Sequence, residues 1–308
     1  MKILIELPTW LGDTVMTTPA IENIVKHFGN VEITLFGSFI SIEALKNHPN
    51  VIKTYVLDKK FINLYKILND FGEFDLFFSF RNSLRAKFIK FFISSKIKYQ
   101  FDKKKYKNNH QVEKYNKFVN DSLKINVLAG GLILHTVKQS KDKKNKVLGI
   151  SPGASYGVAK RWYPKEFADV AIDLSSKYDI IIFGGPGEKD IAKDIEKYLI
   201  EKGVDNYKNL TAKITIKELI SQIANLDLFV TGDSGPMHIA AAFQIPTVAI
   251  FGPTNDKETS QWTNEKKIIL KKNLECQPCM KRKCPLKHHN CMKLIKSVDV
   301  LDAVNSIT

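Results

Sequence analysis

The sequence predicts an α/β protein of two domains, each built on a mostly parallel sheet. Its 308 residues exceed a typical single domain, and 44% of them are hydrophobic, enough for two packed cores. Short apolar runs alternate with helical stretches, which indicates right-handed β–α–β crossovers. The polar, highly charged segment 138–146 interrupts this alternation and is typical of an exposed linker. We therefore expect domains at 1–140 and 147–308.

In the first half of the chain, five short apolar runs are typical of buried strands. The predicted strands are Ile3–Leu7, Glu32–Phe36, Ile52–Leu57, Asp75–Phe80 and Lys96–Phe101. The stretches between these runs have apolar residues at helical spacing and predict helices. The predicted helices are Thr14–His27, Ser41–Asn47, Phe61–Phe71, Ser83–Phe92 and Gln111–Leu123.

The second half restarts the same alternation after the linker. Its predicted strands are Val147–Ile150, Asp179–Phe183, Asp227–Thr231 and Thr247–Phe251. Its predicted helices are Pro164–Lys177, Glu188–Leu199, Ile216–Ala224 and Met237–Phe243. Ser297–Ile307 predicts a final helix that packs on either the second domain or the first.

The chain is strongly basic, and its charge is uneven. The formal net charge is +15, and between Arg81 and Lys124 thirteen lysines and arginines face three acidic residues. Such a region attracts polyanions: nucleic acid, anionic lipid head groups or a phosphorylated acceptor. Solvated surface lysines are the alternative. The sequence has no zinc-finger or RNA-recognition signature, so we do not expect nucleic acid as a partner.

The N-terminal residues lack the pattern of a secretory signal, because the apolar run Met1–Leu7 gives way at once to Pro8. No uninterrupted apolar run approaches the roughly 20 residues that span a bilayer. We therefore expect a cytoplasmic protein.

A glycine–acid turn, Gly12-Asp13, follows the first predicted strand and precedes the first predicted helix. Ligands of α/β domains bind at such places, where strands end and helices begin. Gly12 permits a tight backbone beside a ligand. Asp13 is either the N-cap of the helix or a general base that draws a proton from a hydroxyl nucleophile.

Small residues follow the first strand of the second domain. Gly153, Ala154 and Ser155 leave backbone N–H groups free to approach phosphate oxygens. Lys160 lies a few residues further on, where its charge can stabilise a departing diphosphate. The segment matches neither the Walker nor the G-x-G-x-x-G spacing.

Two further strand ends carry candidate ligand contacts. Glu188 follows a glycine-rich turn and either accepts hydrogen bonds from ribose hydroxyls or stabilises the helix that it begins. Ser234 and Gly235 open a helix and can hold a diphosphate. Asp233 orients that loop or a sugar hydroxyl, and His238 is either packed in the core or a donor to phosphate.

The four cysteines form one cluster, Cys276, Cys279, Cys284 and Cys291, with two histidines inside it. In a cytoplasmic protein such a cluster favours thiolate metal ligation over disulfides. The spacing differs from the common zinc-ribbon pattern, so reduced thiols packed in a loop are the alternative.

Together these segments resemble the bacterial lipopolysaccharide heptosyltransferases of glycosyltransferase family 9, which have the two-lobed GT-B architecture. The resemblance runs along nearly the whole chain. It rests on Leu7-Pro-Thr-Trp-Leu-Gly-Asp-Thr14, Pro152-Gly-Ala-Ser155, Ala159-Lys-Arg-Trp162, Phe183-Gly-Gly185, Asn209-Leu-Thr-Ala-Lys213, Asp233-Ser-Gly-Pro-Met-His238 and Phe251-Gly-Pro-Thr254. The stretch from Cys276 to Pro285 most resembles that of heptosyltransferase II.

The resemblance implies two Rossmann-like lobes that face each other across a cleft. It implies ADP-heptose as the donor, bound in the C-terminal lobe, and heptosyl-Kdo-lipid A as the acceptor, reached from the basic N-terminal lobe at the inner membrane. Asp13 matches the family's catalytic base, Lys160 its diphosphate contact and Glu188 its ribose contact. Arg81 and Arg85, in the basic region, are the candidate acceptor contacts.

The implied chemistry is one inverting displacement, in which Asp13 deprotonates the acceptor hydroxyl that attacks the anomeric carbon. Helix dipoles and Lys160 would take the place of a metal on the leaving diphosphate, and the chain has no obvious D-x-D motif. We therefore expect no cofactor for catalysis, and at most a structural zinc at the cysteines.

Three alternatives compete with this hypothesis. One is a transferase of the same architecture that uses another nucleotide sugar. A nicotinamide-dependent oxidoreductase fits two β–α–β domains, but the missing G-x-G-x-x-G argues against it. The third is a binding protein for anionic glycolipid without catalytic activity.

Overall fold

Two parallel sheets, one in each half of the chain, organise the protein. The computed structural model describes residues 1–57, 68, 70–136 and 145–307. The chain divides into Met1–Thr136, here the N-terminal domain, and Val137–Thr308, the C-terminal domain. The helix predicted at Phe61–Phe71 and the linker predicted at 138–146 lie largely outside the described residues.

The N-terminal domain has a five-stranded sheet in the order β3-β2-β1-β4-β5, with every neighbouring pair parallel. Its strands are β1 (Lys2–Glu6), β2 (Glu32–Gly37), β3 (Val51–Val56), β4 (Glu73–Ser79) and β5 (Ser94–Gln100). Its described helices are α1 (Leu11–Met16), α2 (Thr18–Phe28), α3 (Phe39–Leu45), α4 (Leu84–Phe92) and α5 (Gln111–Leu123). The central strand β1 is an unbroken apolar run, Ile3 to Ile5, because helices cover both faces of a parallel sheet.

The prediction of one helix over Thr14–His27 was wrong, because the chain forms two helices that meet at Thr17. Pro19 lies in the first turn of α2, where its missing N–H costs nothing, whereas the middle of a longer helix would exclude it. The first helix also begins earlier than expected, with Trp10 as its N-cap. Asp13 therefore lies inside the first turn, and its alternative role as the N-cap was wrong.

The C-terminal domain has a six-stranded sheet in the order β11-β10-β9-β6-β7-β8, again with parallel neighbours. Its strands are β6 (Lys146–Ser151), β7 (Tyr178–Ile182), β8 (Tyr207–Asn209), β9 (Leu228–Gly232), β10 (Thr247–Ile250) and β11 (Lys267–Leu270). Its described helices are α6 (Pro164–Leu174), α7 (Lys189–Glu201), α8 (Ile216–Ala224), α9 (Gly235–Ala242), α10 (Asp256–Thr259), α11 (Asn290–Lys293) and α12 (Ser297–Ile307). Neither edge strand, β8 or β11, was foreseen.

The final helix, α12, packs in the core of the C-terminal domain, on α6 and β11. Val300 and Val304 are buried there in one apolar cluster with Trp162. The indole N–H of Trp162 donates a hydrogen bond of 2.9 Å to the carbonyl of Ile295, just before α12. The sequence did not decide which domain this helix packs on, and in the structure its apolar face packs on the C-terminal domain.

The carboxyl ends of parallel strands meet at one edge of each sheet, and the predicted site residues follow those ends. In the N-terminal domain, Gly12 and Asp13 come after β1. In the C-terminal domain, the segments after β6, β7, β9 and β10 begin at 152, 183, 233 and 251. Within the described residues, no helix combines the length and apolar character needed to cross a membrane.

We predict that Gly149→Ala destabilises the C-terminal domain. A Cβ atom at Gly149, in the middle of β6, would lie 2.8 Å from a ring carbon of Phe229 and against Leu226. Forcing a methyl group into a packed core costs about 1–3 kcal/mol, which urea unfolding measures. Gly187→Ala is the matched control, because nothing lies within 4 Å of its Cβ position. Equal stability of the two variants would contradict the packing at β6.

Candidate active site

Asp13 lies in the first turn of α1, the helix that follows β1. It is half-buried, and it lies close to the buried Tyr115 of α5. Burial raises the pKa of Tyr115 well above its ordinary value, and the charge of Asp13 raises it further. Tyr115 therefore stays protonated near the Asp13 carboxylate. Asp13 thus lies after the end of β1, where the sequence analysis predicts a general base.

Glu6, which the sequence analysis did not single out, is a buried carboxylate at the end of β1. Ser79 donates a hydrogen bond of 2.6 Å to its Oε2 atom, and Arg81 Nη1 lies 3.4 Å from its Oε1 atom. Burial raises the pKa of Glu6, while the Ser79 hydrogen bond and the charges of Arg81 and Arg85 oppose that rise. The two predicted acceptor residues thus lie close to one buried acid. A glutamate at the end of an apolar strand was the signal for it.

Gly153 and Glu188 lie together after β6 and β7. A Cβ atom on Gly153 would overlap the carboxylate of Glu188, so a larger residue there would displace that carboxylate. Glu188 Oε2 accepts a hydrogen bond of 2.6 Å from the N–H of Gly185, which fixes the carboxylate inside its own turn. Of the neighbouring residues, Ala154 is buried and Ser155 is exposed.

Lys160 and Asp233 form a mostly buried ion pair after β6 and β9. The Lys160 Nζ to Asp233 Oδ2 distance is 2.5 Å, and the side chains are only 11% and 6% exposed. Thr254 Oγ1 donates a second hydrogen bond, of 2.6 Å, to the same Asp233 oxygen. The ammonium of Lys160 also lies 5.2 Å from the ring centre of Tyr156. Asp233 therefore holds Lys160 in place, which favours its orienting role over direct contact with a phosphate.

Helix α9 begins at Gly235, two residues after Asp233, and its first turn presents backbone N–H groups. Ser234 is the N-cap, and its side chain makes no capping hydrogen bond. Its hydroxyl lies 3.3 Å from that of Thr231. His238, one turn along, is buried. The orphan N–H groups of a first helical turn bind anions, so Ser234 and Gly235 fit the predicted phosphate loop.

Thr211 is a second residue of this edge to which the sequence assigned no role. Its Oγ1 atom is buried and has no hydrogen-bond partner among the described residues. The hydroxyl lies 3.1 Å from the position that a Cβ on Gly184 would take, and the next residue, Ala212, donates to the Gly184 carbonyl at 2.9 Å. A buried hydroxyl that lacks a partner is a candidate contact for a ligand.

The four cysteines are free thiols that line one cavity together with His288 and His289. The pKa of Cys291 is raised to about 11, by burial first and then by the charges of Cys284, Cys279 and Cys276. The structure therefore brings the predicted cluster together in space.

A second group of metal-ligand types, Glu22, His48 and His135, has ligand atoms within 4.8 Å of one another. His48 Nδ1 accepts a hydrogen bond from the N–H of Asn50, and Nε2 lies 3.0 Å from Glu22 Oε1. Nε2 therefore carries the proton and donates it to Glu22. A ring nitrogen that carries a proton has no lone pair for a metal, so these contacts disfavour an ion there.

Comparison with known proteins gives the family. The model of glycosyltransferase family 9 (heptosyltransferase) matches residues 70–290. Lipooligosaccharide heptosyltransferase 2 of Campylobacter jejuni serotype O:2 is 42% identical over 317 residues, which cover 100% of this chain and 98% of that protein. The chain belongs to glycosyltransferase family 9.

Solved structures agree with this assignment at the level of the fold. The Escherichia coli ADP-heptose LPS heptosyltransferase II has a TM-score of 0.83 at 20% identity, covering 100% of this chain and 98% of that one. An E. coli heptosyltransferase with ADP-2-deoxy-2-fluoro heptose has a TM-score of 0.79 at 14% identity, with 100% of both chains covered. The predicted fold class, two α/β domains with parallel sheets as in GT-B enzymes, is confirmed.

We predict that Lys160→Met destabilises this family 9 enzyme, because Asp233 keeps its charge without its cation. Removing one partner of a buried ion pair costs about 3–5 kcal/mol, which urea unfolding measures. Asp233→Asn added to that variant should restore much of the loss. Lys165→Met is the matched control, since its partner Asp169 and the lysine lie at the surface. If Lys160→Met is as stable as the control, the pair does not hold this loop.

Proposed function

We propose that this glycosyltransferase moves L-glycero-D-manno-heptose from ADP-heptose onto the inner-core heptose of lipopolysaccharide, with heptosyl-Kdo-lipid A as the acceptor. The observation that carries the proposal is the full-length similarity to lipooligosaccharide heptosyltransferase 2. The two strand-end sites described above supply a carboxylate in one domain and a fixed cation in the other.

The C-terminal domain is proposed to bind the nucleotide sugar. Gly153 lies against the carboxylate of Glu188, and Ser234 and Gly235 present the first N–H groups of α9 to the diphosphate. Thr211 offers a buried hydroxyl near Glu188, the candidate ribose contact. These groups are positioned by the backbone, so they need little rearrangement when the donor binds.

Asp13 is the proposed general base. It takes the proton of the acceptor hydroxyl, whose oxygen forms a bond to the anomeric carbon as the bond to the ADP oxygen breaks. The configuration of the anomeric carbon inverts, and the bonding electrons leave with ADP. This follows the logic of inverting glycoside hydrolysis, with a sugar hydroxyl in the place of water.

Lys160 is the proposed contact to the leaving diphosphate. Negative charge grows on the ADP oxygen during the displacement, and a cation fixed in advance stabilises it without reorganisation. Asp233 and Thr254 supply that fixation. Lys160 and the N-terminus of α9 therefore perform the role that a metal ion has in other transferases, and we propose that the displacement itself requires no cofactor.

The basic region of the N-terminal domain is proposed to face the phosphorylated acceptor. Arg81 and Arg85 are the candidate contacts, and the buried Glu6 keeps them near the end of β1. Phosphate groups on the acceptor would pair with these guanidinium groups in bidentate fashion.

Helix α4 supplies a surface suited to the inner membrane. Leu84 and Phe91 are 85% and 81% exposed, and Phe88 and Phe92 are each 52% exposed. The same helix carries Arg85, Lys87 and Lys90, and it has no acidic residue. Apolar side chains next to cations are the composition of an interfacial helix on anionic lipid. We propose peripheral contact of α4 with the cytoplasmic face of the inner membrane.

The donor is tested by a screen of nucleotide sugars against a truncated core acceptor, with mass detection of the product. We expect addition of one heptose from ADP-heptose. Transfer from a different nucleotide sugar would establish another member of the same architecture, and binding of acceptor without any transfer would favour a glycolipid-binding protein.

We predict that Asp13→Asn lowers the rate of transfer by about 10²–10⁴-fold, the usual cost of a lost general base. Binding of ADP and the free energy of unfolding should stay close to the wild type, because the side chains have the same shape. Asp75→Asn, which removes a surface carboxylate paired with Lys96, is the matched control and should keep full activity. Near-normal turnover in Asp13→Asn would remove the base from this mechanism.

We predict that Leu84→Ser combined with Phe91→Ser weakens binding to vesicles of phosphatidylglycerol and phosphatidylethanolamine, measured by co-sedimentation. Burial of one large apolar side chain in the interface contributes about 1.5–3 kcal/mol to the free energy of membrane binding, and each replacement removes that contribution. Transfer to a soluble core fragment should not change. Ile200→Ser, at an exposed apolar residue of α7, is the control. Equal vesicle binding by all variants would contradict the proposed contact of α4 with the membrane.

A further inference from the structure

Residues 271–289, all of them described, connect β11 to α11 without forming a helix or strand, and none of them is buried. Of the large apolar residues of this stretch, Met280 and Leu286 are 50% and 58% exposed, and Leu274 is half-buried against the core of the domain. A connection of this length without structure of its own is uncommon in a compact domain unless it is functional. We call residues 271–291 the cysteine segment. It lacks an apolar core of its own that could fix its shape.

The feature that the cysteine segment does have is the convergence of four thiols on one cavity. Cysteine sulfur is the preferred protein ligand of zinc and of iron in closed structural sites. His289 lines the same cavity, but its two ring nitrogens are hydrogen-bonded already, to the hydroxyl of Tyr163 at 3.2 Å and to the carbonyl of Ala159 at 2.9 Å. The four sulfurs, together with His288 beside them, are therefore the available ligand set.

The cysteine segment is basic in sequence. Residues 271–289 contain six cations and one acid, Glu275, and two of the cations, Lys271 and Lys272, pair with Asp256 and Asp299 outside these residues. The cations are Lys271, Lys272, Lys281, Arg282, Lys283 and Lys287. Four thiolates around one divalent ion carry a net negative charge, which neighbouring cations stabilise.

The segment is attached to the loop that carries Lys160. The hydroxyl of Tyr156 donates to the carbonyl of Met280 at 2.8 Å, and the N–H of Ala159 donates to the carbonyl of Arg282 at 3.1 Å. A Cβ atom on Gly157 would lie 2.8 Å from Cβ of Arg282, so the two backbones are in direct contact. The position of residues 280–282 thus determines the position of the turn that ends in Lys160.

The same segment is attached to the loop that carries Thr254. The side-chain amide of Gln277 donates to the carbonyl of Gly252 at 2.8 Å, and the N–H of Met280 donates to the carbonyl of Pro253 at 2.8 Å. Thr254 in turn donates to Asp233. The cysteine segment therefore contacts both sides of the Lys160–Asp233 ion pair.

We propose that Cys276, Cys279, Cys284 and Cys291 bind one zinc or iron centre, and that this centre positions Lys160 and Asp233 for the leaving diphosphate. Its role in turnover rests on the proposed function; its existence does not. Among the described residues, no three of these sulfurs lie within 4.8 Å of one another. Four sulfurs bound to a single zinc at about 2.3 Å lie closer together than that. Binding therefore draws the thiols inward, or joins them through a cluster of more than one iron.

The first test is the metal content of untagged protein purified without chelators under reducing, oxygen-free conditions. We expect one metal centre per chain by mass spectrometry of the elements. Zinc without visible absorption identifies a single ion, and iron with visible absorption identifies an iron centre. Protein that contains neither metal, and takes up neither zinc nor iron with sulfide on reconstitution, overturns the proposal.

The second test asks whether the centre positions Lys160. Cys279→Ser should lose the metal, weaken ADP binding in calorimetry and lower kcat by about 10–100-fold, the usual effect of disturbing groups around a site. Cys279→His, which retains a ligand, should recover metal and ADP binding. Glu275→Gln, at an exposed residue next to Cys276, is the control and should change neither.

Amide hydrogen exchange at Gly157–Lys160 gives a readout that does not depend on the donor. We expect faster exchange in folded Cys279→Ser, and in wild type stripped of its metal, and a return to slow exchange when metal is restored. Unchanged exchange and ADP binding in a folded, metal-free protein would limit the centre to general stability and overturn its positioning role. A wild type that holds metal but does not use ADP-heptose would contradict the proposed function and leave the metal centre standing.

Discussion

The buried ion pair between Lys160 and Asp233 is the interaction on which the C-terminal site depends. It joins loops that follow two adjacent strands, β6 and β9, and Thr254 extends it to a third loop after β10. Each of these loops follows a buried strand, and the ion pair and the hydrogen bond from Thr254 join all three. A lysine without this support would sample many rotamers and lose entropy when it met a phosphate.

The N-terminal domain uses the same physical device at the end of β1. Glu6 is completely buried, which is costly for a carboxylate. The hydrogen bond from Ser79 and the charge of Arg81 offset that cost. The gain is that Arg81 has a fixed direction at the edge where Asp13 lies. In both domains a buried acid thus determines where a neighbouring cation points.

Most of the fold follows from the pattern of apolar runs, because parallel strands buried on both faces are continuous in sequence. The helices Gln111–Leu123, Ile216–Ala224 and Ser297–Ile307 were predicted with the bounds that the structure has. The edge strands β8 and β11 were missed because they are short and half-buried, so their apolar signal is weak. The break at Thr17 was missed although Pro19 marked it, because the apolar periodicity continues across the proline.

The site was predictable to a smaller extent, because its key contacts join residues far apart in the chain. Asp233 was expected to orient its loop or a sugar hydroxyl, and only the structure shows that its carboxylate pairs with Lys160. The net charge of +15 likewise does not show which cations are paired with acids in the folded chain. Lys96 and Lys105 of the basic region pair with Asp75 and Asp121, so part of the charge in that region is balanced locally. In the proposed function, the cations held by buried acids recognise the anionic acceptor, while the exposed lysines contribute a field that salt screens.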